Sequence, residues 1–284
     1  MKYEVIRLTQ HFPVLEKGSC GQCPTLYAYV HDNSPEIDEK LLHPAVLVLP
    51  GGGYVMTSDR EAEPVALQFF ARGFNAYVLR YSVAPAKYPQ ALLEASAALA
   101  LIRDHAGADF THPEQIAVCG FSAGGHLAGS VGVFWNEPFI KETLCIKEGQ
   151  NRPCALILCY AVLTSGEYAH RGSFDILLGN DAPAALVDKL SLENQVNPLV
   201  PPTFLWHTED DAVVPVENTL LFALALQKQK IPMELHIYDS GPHGLSTCSM
   251  LTSRGGLYVD SHVKTWMELC VQWLQRLYKE AVIV

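Results

Sequence analysis

Gly120-Phe121-Ser122-Ala123-Gly124 sets a serine between two glycines in the pattern G-x-S-x-G. A serine hydroxyl is a weak nucleophile at its own pKa and becomes useful when a neighbouring base takes its proton. The pattern alone is a modest signal, so its context decides. The apolar run Ile116–Cys119 before it reads as a buried strand, and Leu127, Val131 and Phe134 after it have helical spacing. Strand, tight turn and helix together force such a serine into a strained elbow with its Oγ exposed. The plainer alternative is a serine capping a helix behind a glycine turn. The nucleophile reading of Ser122 is preferred because strand and helix flank the motif in the required order.

A base and an acid should follow the serine, in the order Ser, acid, His. Of the 11 histidines, His236, His243 and His262 lie late enough in the chain. His236 alternates within a strand, and His262 falls in the first turn of the last helix, where a surface position accounts for it. His243 lies in Ser240-Gly241-Pro242-His243-Gly244, a loop just past the strand Met233–Tyr238, and is the expected base. The acid should come from the loop after the preceding strand, which carries Glu209, Asp210 and Asp211 in a row. Its task is to accept the His Nδ1–H and stabilise the imidazolium. Asp211 leads D-x-x-V-P and is preferred; Asp210 is expected to cap the turn and Glu209 to face solvent.

Leu49-Pro50-Gly51-Gly52-Gly53-Tyr54 follows the first long buried strand. Consecutive glycines cost backbone entropy, so close approach or unusual dihedrals must require them. Backbone N–H groups of this loop, with the Ala123 N–H, would converge on a developing alkoxide as an oxyanion hole. A mere tight turn is the bland reading. A phosphate loop is disfavoured because G-x-G-x-x-G and a P-loop lysine are both missing.

These residues need a scaffold that brings distant segments to one rim. Predicted strands are Tyr3–Leu8, Thr25–Val30, Ala45–Leu49, Asn75–Arg80, Ile116–Cys119, Ala155–Tyr160, Thr203–His207 and Met233–Tyr238. Predicted helices are Pro64–Arg72, Pro89–His105, Ser122–Phe134, Pro215–Lys228 and Asp260–Tyr278. Short apolar strands alternating with helices specify an α/β fold, a mostly parallel eight-stranded sheet in a three-layer sandwich. A single domain over residues 1–284 is expected, with N-terminal strands and a loop over 1–44. The interval 161–202 breaks the rhythm, with short helices expected at Ser173–Leu178 and Ala182–Leu190. It is either a small lid over the carboxyl ends of the strands or a long peripheral loop.

Composition agrees with a large core: 49% of residues are hydrophobic and 18% charged, against a usual charged share of about 25%. The net charge of −10 would repel phosphate backbones, so nucleic acid is not an expected partner. The longest apolar run, Cys154–Leu163, falls well short of the roughly 20 residues a bilayer span needs, so no membrane partner is expected. Met1–Arg7 lacks an apolar secretion core, so a cytoplasmic location with the 8 cysteines reduced is expected.

Several features are set aside. Cys20-Gly21-Gln22-Cys23 has the spacing of a zinc or redox pair, but no second C-x-x-C exists and the pair lies in a turn. Neither a metal nor a cofactor is expected. His126 is read as a hydrogen-bonded structural residue on the nucleophile helix. Glu61 and Glu63 are read as a helix-start pair complementing the dipole, a polar-substrate contact being the lesser reading. Tyr54, Tyr81 and Trp206 are candidates to line the site, with Tyr54 carried forward as substrate-binding; core packing is their default.

With these blocks in order, the chain resembles the α/β-hydrolase superfamily. It is most similar to the lipase/esterase branch whose oxyanion loop reads H-G-G-G or P-G-G-G-Y, which includes carbohydrate acetyl esterases. Pro50–Tyr54, Arg80-Tyr81 through Ala84-Pro85, Gly120–Gly125, Asp211–Pro215 and Gly241–Gly244 carry the likeness, from about Ala45 to the C-terminus. By position, the resemblance implies that Gly52 and Gly53 donate to the oxyanion. Pro50 stands where the H-G-G-G form has His, a departure that bears on subfamily more than on chemistry. The resemblance implies a serine carboxylesterase acting on short-chain acyl esters, O-acetyl groups on carbohydrates among them, by a Ser-His-Asp acyl-enzyme mechanism. The expected partner is a small-molecule ester such as an acetylated sugar; the oligomeric state stays open, a homodimer being one option. The rival readings are an amide hydrolase on the same fold, an arylformamidase or peptidase, and a non-catalytic small-molecule receptor, which should have lost part of the triad.

Overall fold

Strand side chains point alternately to two apolar clusters, and that alternation organises the molecule. Leu47 and Leu49, Ile116 and Val118, and Leu156 and Leu158 face one cluster; Val46 and Val48, Ala117 and Cys119, and Ile157 and Cys159 face the other. A strand buried on both faces must be apolar at every position, which is why these runs read as continuous rather than alternating. Burying each such side chain contributes about 1.5–3 kcal/mol before entropy is counted.

The structure, a computed structural model, describes residues 1–281. Its strands are β1 (Lys2–Arg7), β2 (Thr25–Val30), β3 (His43–Leu49), β4 (Asn75–Arg80), β5 (Thr111–Phe121), β6 (Ala155–Cys159), β7 (Thr203–Thr208) and β8 (Met233–Tyr238). They form one eight-stranded sheet in the order β1-β2-β4-β3-β5-β6-β7-β8. β1 and β2 run antiparallel at one edge, and the strands from β4 to β8 are parallel. The helices are α1 (Leu8–His11), α2 (Glu63–Phe70), α3 (Gln90–Asp104), α4 (Ala123–Phe134), α5 (Pro138–Leu144), α6 (Arg171–Leu178), α7 (Ala184–Lys189), α8 (Glu217–Lys228) and α9 (Trp266–Ala281). α3, α4 and α8 pack on the first cluster, α2 and α9 on the second. The layers are those of the expected three-layer sandwich.

The strand order fixes where a ligand can sit. From β3 the chain crosses to β4 on one side, and β5 takes the place on the other, so the carboxyl ends of β3 and β5 flank a topological switch point. Leu49 pairs with Gly120 there, setting the glycine loop after β3 against the serine turn after β5.

Besides α1, a single turn that takes Leu8 out of the expected first strand, three elements depart from the sequence reading. The closing helix starts at Trp266 rather than Asp260, because Asp260 Oδ1 accepts the His262 and Val263 N–H groups and caps a short 3-10 turn, Val263–Thr265, ahead of it. β5 begins at Thr111, where a bulged bridge to His43 lengthens it. α5 was not anticipated; it follows Glu137 with Pro138 at its first turn and buries only Ile140 and Leu144, too few for a periodic signal. Among the described residues no helix is long and apolar enough to cross a membrane.

Candidate active site

Ser122 sits between β5 and α4 with φ 52° and ψ −120°, a conformation that costs a non-glycine residue about 1–3 kcal/mol. The surroundings hold it there. Its N–H donates to Cys159 O at 3.0 Å, and its carbonyl accepts the Val162 and His126 N–H groups at 3.1 Å. The flanking glycines are steric requirements: a Cβ on Gly120 would fall 2.2 Å from Gly124 O, and one on Gly124 would fall 2.2 Å from Leu49 O.

His243 and Asp211 reach this serine as the loop positions implied. Ser122 Oγ lies 2.8 Å from His243 Nε2, and His243 Nδ1 lies 2.7 Å from Asp211 Oδ2. With Nδ1–H donated to the carboxylate, Nε2 is left to accept the serine proton. Asp211 Oδ1 accepts the N–H groups of Val213 at 2.9 Å and Val214 at 3.0 Å. Burial pushes this carboxyl up, but hydrogen bonds from His207 and His243, the His243 charge and the Val214 N–H outweigh it and hold the acid well below the usual carboxylate range. Of the three acids in this loop, Asp211 is the one hydrogen-bonded to His243. Asp210 instead accepts Gly241 N–H at 2.7 Å and the Ser240 hydroxyl at 2.8 Å, fastening the base loop, and Glu209 is exposed. His236 pairs with Glu234, and His262 stands at the surface against Tyr238.

The sequence reading passed over His207. Fully buried at the end of β7, it donates through Nε2 to Val214 O at 2.9 Å and accepts from the Thr219 hydroxyl at Nδ1, while Nε2 stands 3.3 Å from Asp211 Oδ2. Its one sequence signal is the i, i+4 spacing to Asp211 across a strand end.

The glycine loop carries φ values of 129° at Gly52 and 62° at Gly53. Ala123 opens α4, so its N–H has no intrahelical acceptor and lies at the positive end of the helix. The loop is braced from behind. Tyr81 donates to Pro50 O at 2.6 Å, and Tyr54 O accepts Ala84 N–H at 2.8 Å. Tyr54 itself is 3% exposed, and its hydroxyl donates to His126 Nδ1 at 2.8 Å. It therefore pins the loop to the nucleophile helix, which accounts for its burial without the substrate contact expected from the sequence. His126 completes the brace by donating Nε2–H to Leu190 O at 3.0 Å, and burial pushes its pKa down to about 4. Trp206 stacks on Trp266 in the core and lines no site.

Glu61 also departs from expectation. Glu63 does open α2, but Glu61 ends the 3-10 turn Asp59–Glu61 and is 3% exposed, its oxygens turned towards Gly51 and Tyr160 rather than a helix end. Cys20 and Cys23 are exposed free thiols in the turn before β2. The interval 161–202 holds α6 and α7 close to the helices expected there. It sets the half-buried His170, hydrogen-bonded to Ser173 Oγ at 2.9 Å, beside the site. Burial and the nearby His243 push the His170 pKa down.

The BD-FAE family profile matches residues 33–226. The chain belongs to the BD-FAE family. Among curated relatives of this BD-FAE protein, endo-1,4-beta-xylanase B of Butyrivibrio fibrisolvens is 37% identical over 238 residues, covering 82% of this chain and 36% of that one. The acetylxylan esterase of Xylanibacter ruminicola is 28% identical over 206 residues, covering 70% of this chain and 40% of that protein. The chain thus spans less than half the length of these two relatives. Among solved structures, the acetyl ester-xyloside bifunctional hydrolase from Caldicellulosiruptor lactoaceticus is similar over 96% of both chains, with a TM-score of 0.82 and 38% identity. The carboxylesterase Cest-2923 from Lactobacillus plantarum matches over 97% of this chain and 98% of its own, with a TM-score of 0.83 and 25% identity. The BD-FAE chain has the α/β-hydrolase architecture that its glycine loop, serine elbow and late histidine implied.

Proposed function

We propose that this chain is a serine carboxylesterase that hydrolyses short-chain acyl esters, O-acetyl groups on carbohydrates among them. The observation that carries the reading is the unbroken hydrogen-bond chain Ser122–His243–Asp211, seated on the strained elbow beside the glycine loop. Ser122 Oγ attacks the ester carbonyl as His243 Nε2 takes its proton. The N–H groups of Gly52, Gly53 and Ala123 receive the negative oxygen, each such donor being worth about 10²–10³ in turnover. His243 then protonates the departing alcohol, and the same imidazole activates water to release the acid; general base catalysis of this kind contributes roughly 10²–10⁴. The depressed Asp211 acid keeps a negative charge beside the imidazolium throughout.

The acetyl and carbohydrate preference is supported by relatives named acetylxylan esterase and acetyl ester-xyloside hydrolase. The test is a panel of nitrophenyl esters from acetate to decanoate, an acetylated xylo-oligosaccharide and an aryl formamide, assayed on wild type and Ser122→Ala. Turnover of acetate and of the acetylated sugar, lost in the variant, is expected. Faster turnover of the formamide would replace the esterase reading with an amide hydrolase.

A further inference from the structure

The turn after the glycine loop is stapled to the loop that carries His243. Arg60 Nη2 donates to Gly244 O at 2.9 Å, and Ser246 Oγ donates to Arg60 O at 2.6 Å. Between them stands the Tyr160 hydroxyl, which accepts Ser246 N–H at 3.0 Å and donates to Glu61 Oε1 at 2.6 Å. The other carboxylate oxygen, Glu61 Oε2, accepts Gly51 N–H at 2.8 Å. The Tyr160 ring meets the His243 ring edge-on, with centroids 5.0 Å apart and planes at 70°.

Glu61 therefore lies where three parts of the site cross. A Cβ on Gly51 would fall 2.7 Å from Glu61 Oε2 and 2.9 Å from Ser122 Cβ, so the loop is squeezed between this carboxylate and the nucleophile. Among the described residues Glu61 takes part in no ion pair. A buried carboxylate without a cation is costly, and an apolar side chain would fill the same volume without that cost. What a carboxylate alone supplies is two acceptors and no donor, one for a backbone N–H on each side of the serine, the second reached through Tyr160.

We propose that Glu61 is a positioning residue for the reaction: acting through Gly51 and through Tyr160, it holds the glycine loop and the His243 loop at one fixed spacing about Ser122. The role rests on the serine esterase reading. Glu61→Gln keeps the shape but turns an N–H₂ towards Gly51 N–H or Tyr160, and Tyr160→Phe deletes one oxygen and opens the link.

The experiment measures kcat and KM with nitrophenyl acetate for wild type, Glu61→Gln, Tyr160→Phe and the double variant, with circular dichroism and melting curves to establish folding. Each single variant should lower kcat about 10- to 100-fold with KM held within about 2-fold, the signature of misplaced groups rather than lost substrate contacts. The double variant should lose no more than the worse single, because both cut one link. Full kcat in either folded variant, a rise in KM at unchanged kcat, or losses that multiply in the double variant would each overturn the role. Tyr160→Phe supplies the kcat and KM readout should Glu61→Gln fail to fold. A wild type without esterase turnover would instead bring down the functional reading on which this role rests.

Discussion

His207 Nε2 and Asp211 Oδ2 stand 3.3 Å apart inside the protein, and the same oxygen takes the His243 Nδ1–H at 2.7 Å. Asp211 thus has donors at both oxygens, the His243 N–H at one, with the His207 ring beside it, and two backbone N–H groups at the other. Nothing about it is free to turn.

An amide at this position must set its N–H₂ against either the His243 Nδ1–H or the Val213 and Val214 N–H groups, donor against donor. Asp211→Asn should therefore lower kcat about 10³- to 10⁴-fold. Asp210→Asn should cost less than about 10-fold, since its remaining oxygen can still accept from the base loop. Steady-state kinetics on the two variants checks this; the reverse ranking would move the acid to Asp210.

Ser122 is held at φ 52°, at a cost to the fold. Ser122→Gly removes the Cβ that makes this conformation unfavourable. The variant should be inactive yet more stable than wild type by about 1 kcal/mol, after glycine's own entropy loss is counted. Differential scanning calorimetry beside an esterase assay reads both halves, and a lower melting temperature would contradict the strain account.

Burial lowers the His126 pKa to about 4, so the unfolded chain, with its imidazole near 6.5, binds more protons between those values. Stability then rises with pH across that window: the His126 contribution is complete above about 6.5 and is lost as pH falls towards 4. The loss should be on the order of 3 kcal/mol. Denaturant titrations from pH 7 to pH 4 should show it, and His126→Gln should flatten the slope.

Tyr54 serves the same brace from the other side. Tyr54→Phe leaves His126 Nδ1 buried without a donor and should cost about 1–3 kcal/mol of stability. It should lower kcat by loosening the glycine loop and leave KM near its wild-type value. A KM effect alone would mean that Tyr54 touches substrate.

The centre of the sheet was legible because strands buried on both faces must be apolar throughout, as β6 is and as β3 is from Ala45 onward. The approach of Ser122, His243 and Asp211 was legible because each lies in a short loop directly after an expected strand. The braces were not. Glu61 resembles a helix-start acid until Tyr160, 99 positions later, is folded against it. Tyr54 reads as a site-lining aromatic until His126 claims its hydroxyl, 72 positions on. His207 looks like any strand residue, because its partners Thr219 and Val214 belong to a helix and a turn whose placement depends on the whole sheet. Local pattern fixes the elements, whereas these contacts exist only once the elements are assembled.

The hydrogen bond from His126 to Leu190 also constrains how the site can open. It ties the segment bearing α6 and α7 to the very helix that begins at the serine, in the interior and out of reach of water. Swinging that segment aside like a door would strand an imidazole N–H in apolar surroundings. The segment is therefore a fixed part of the scaffold behind the serine turn, anchored to α4 rather than hinged on it.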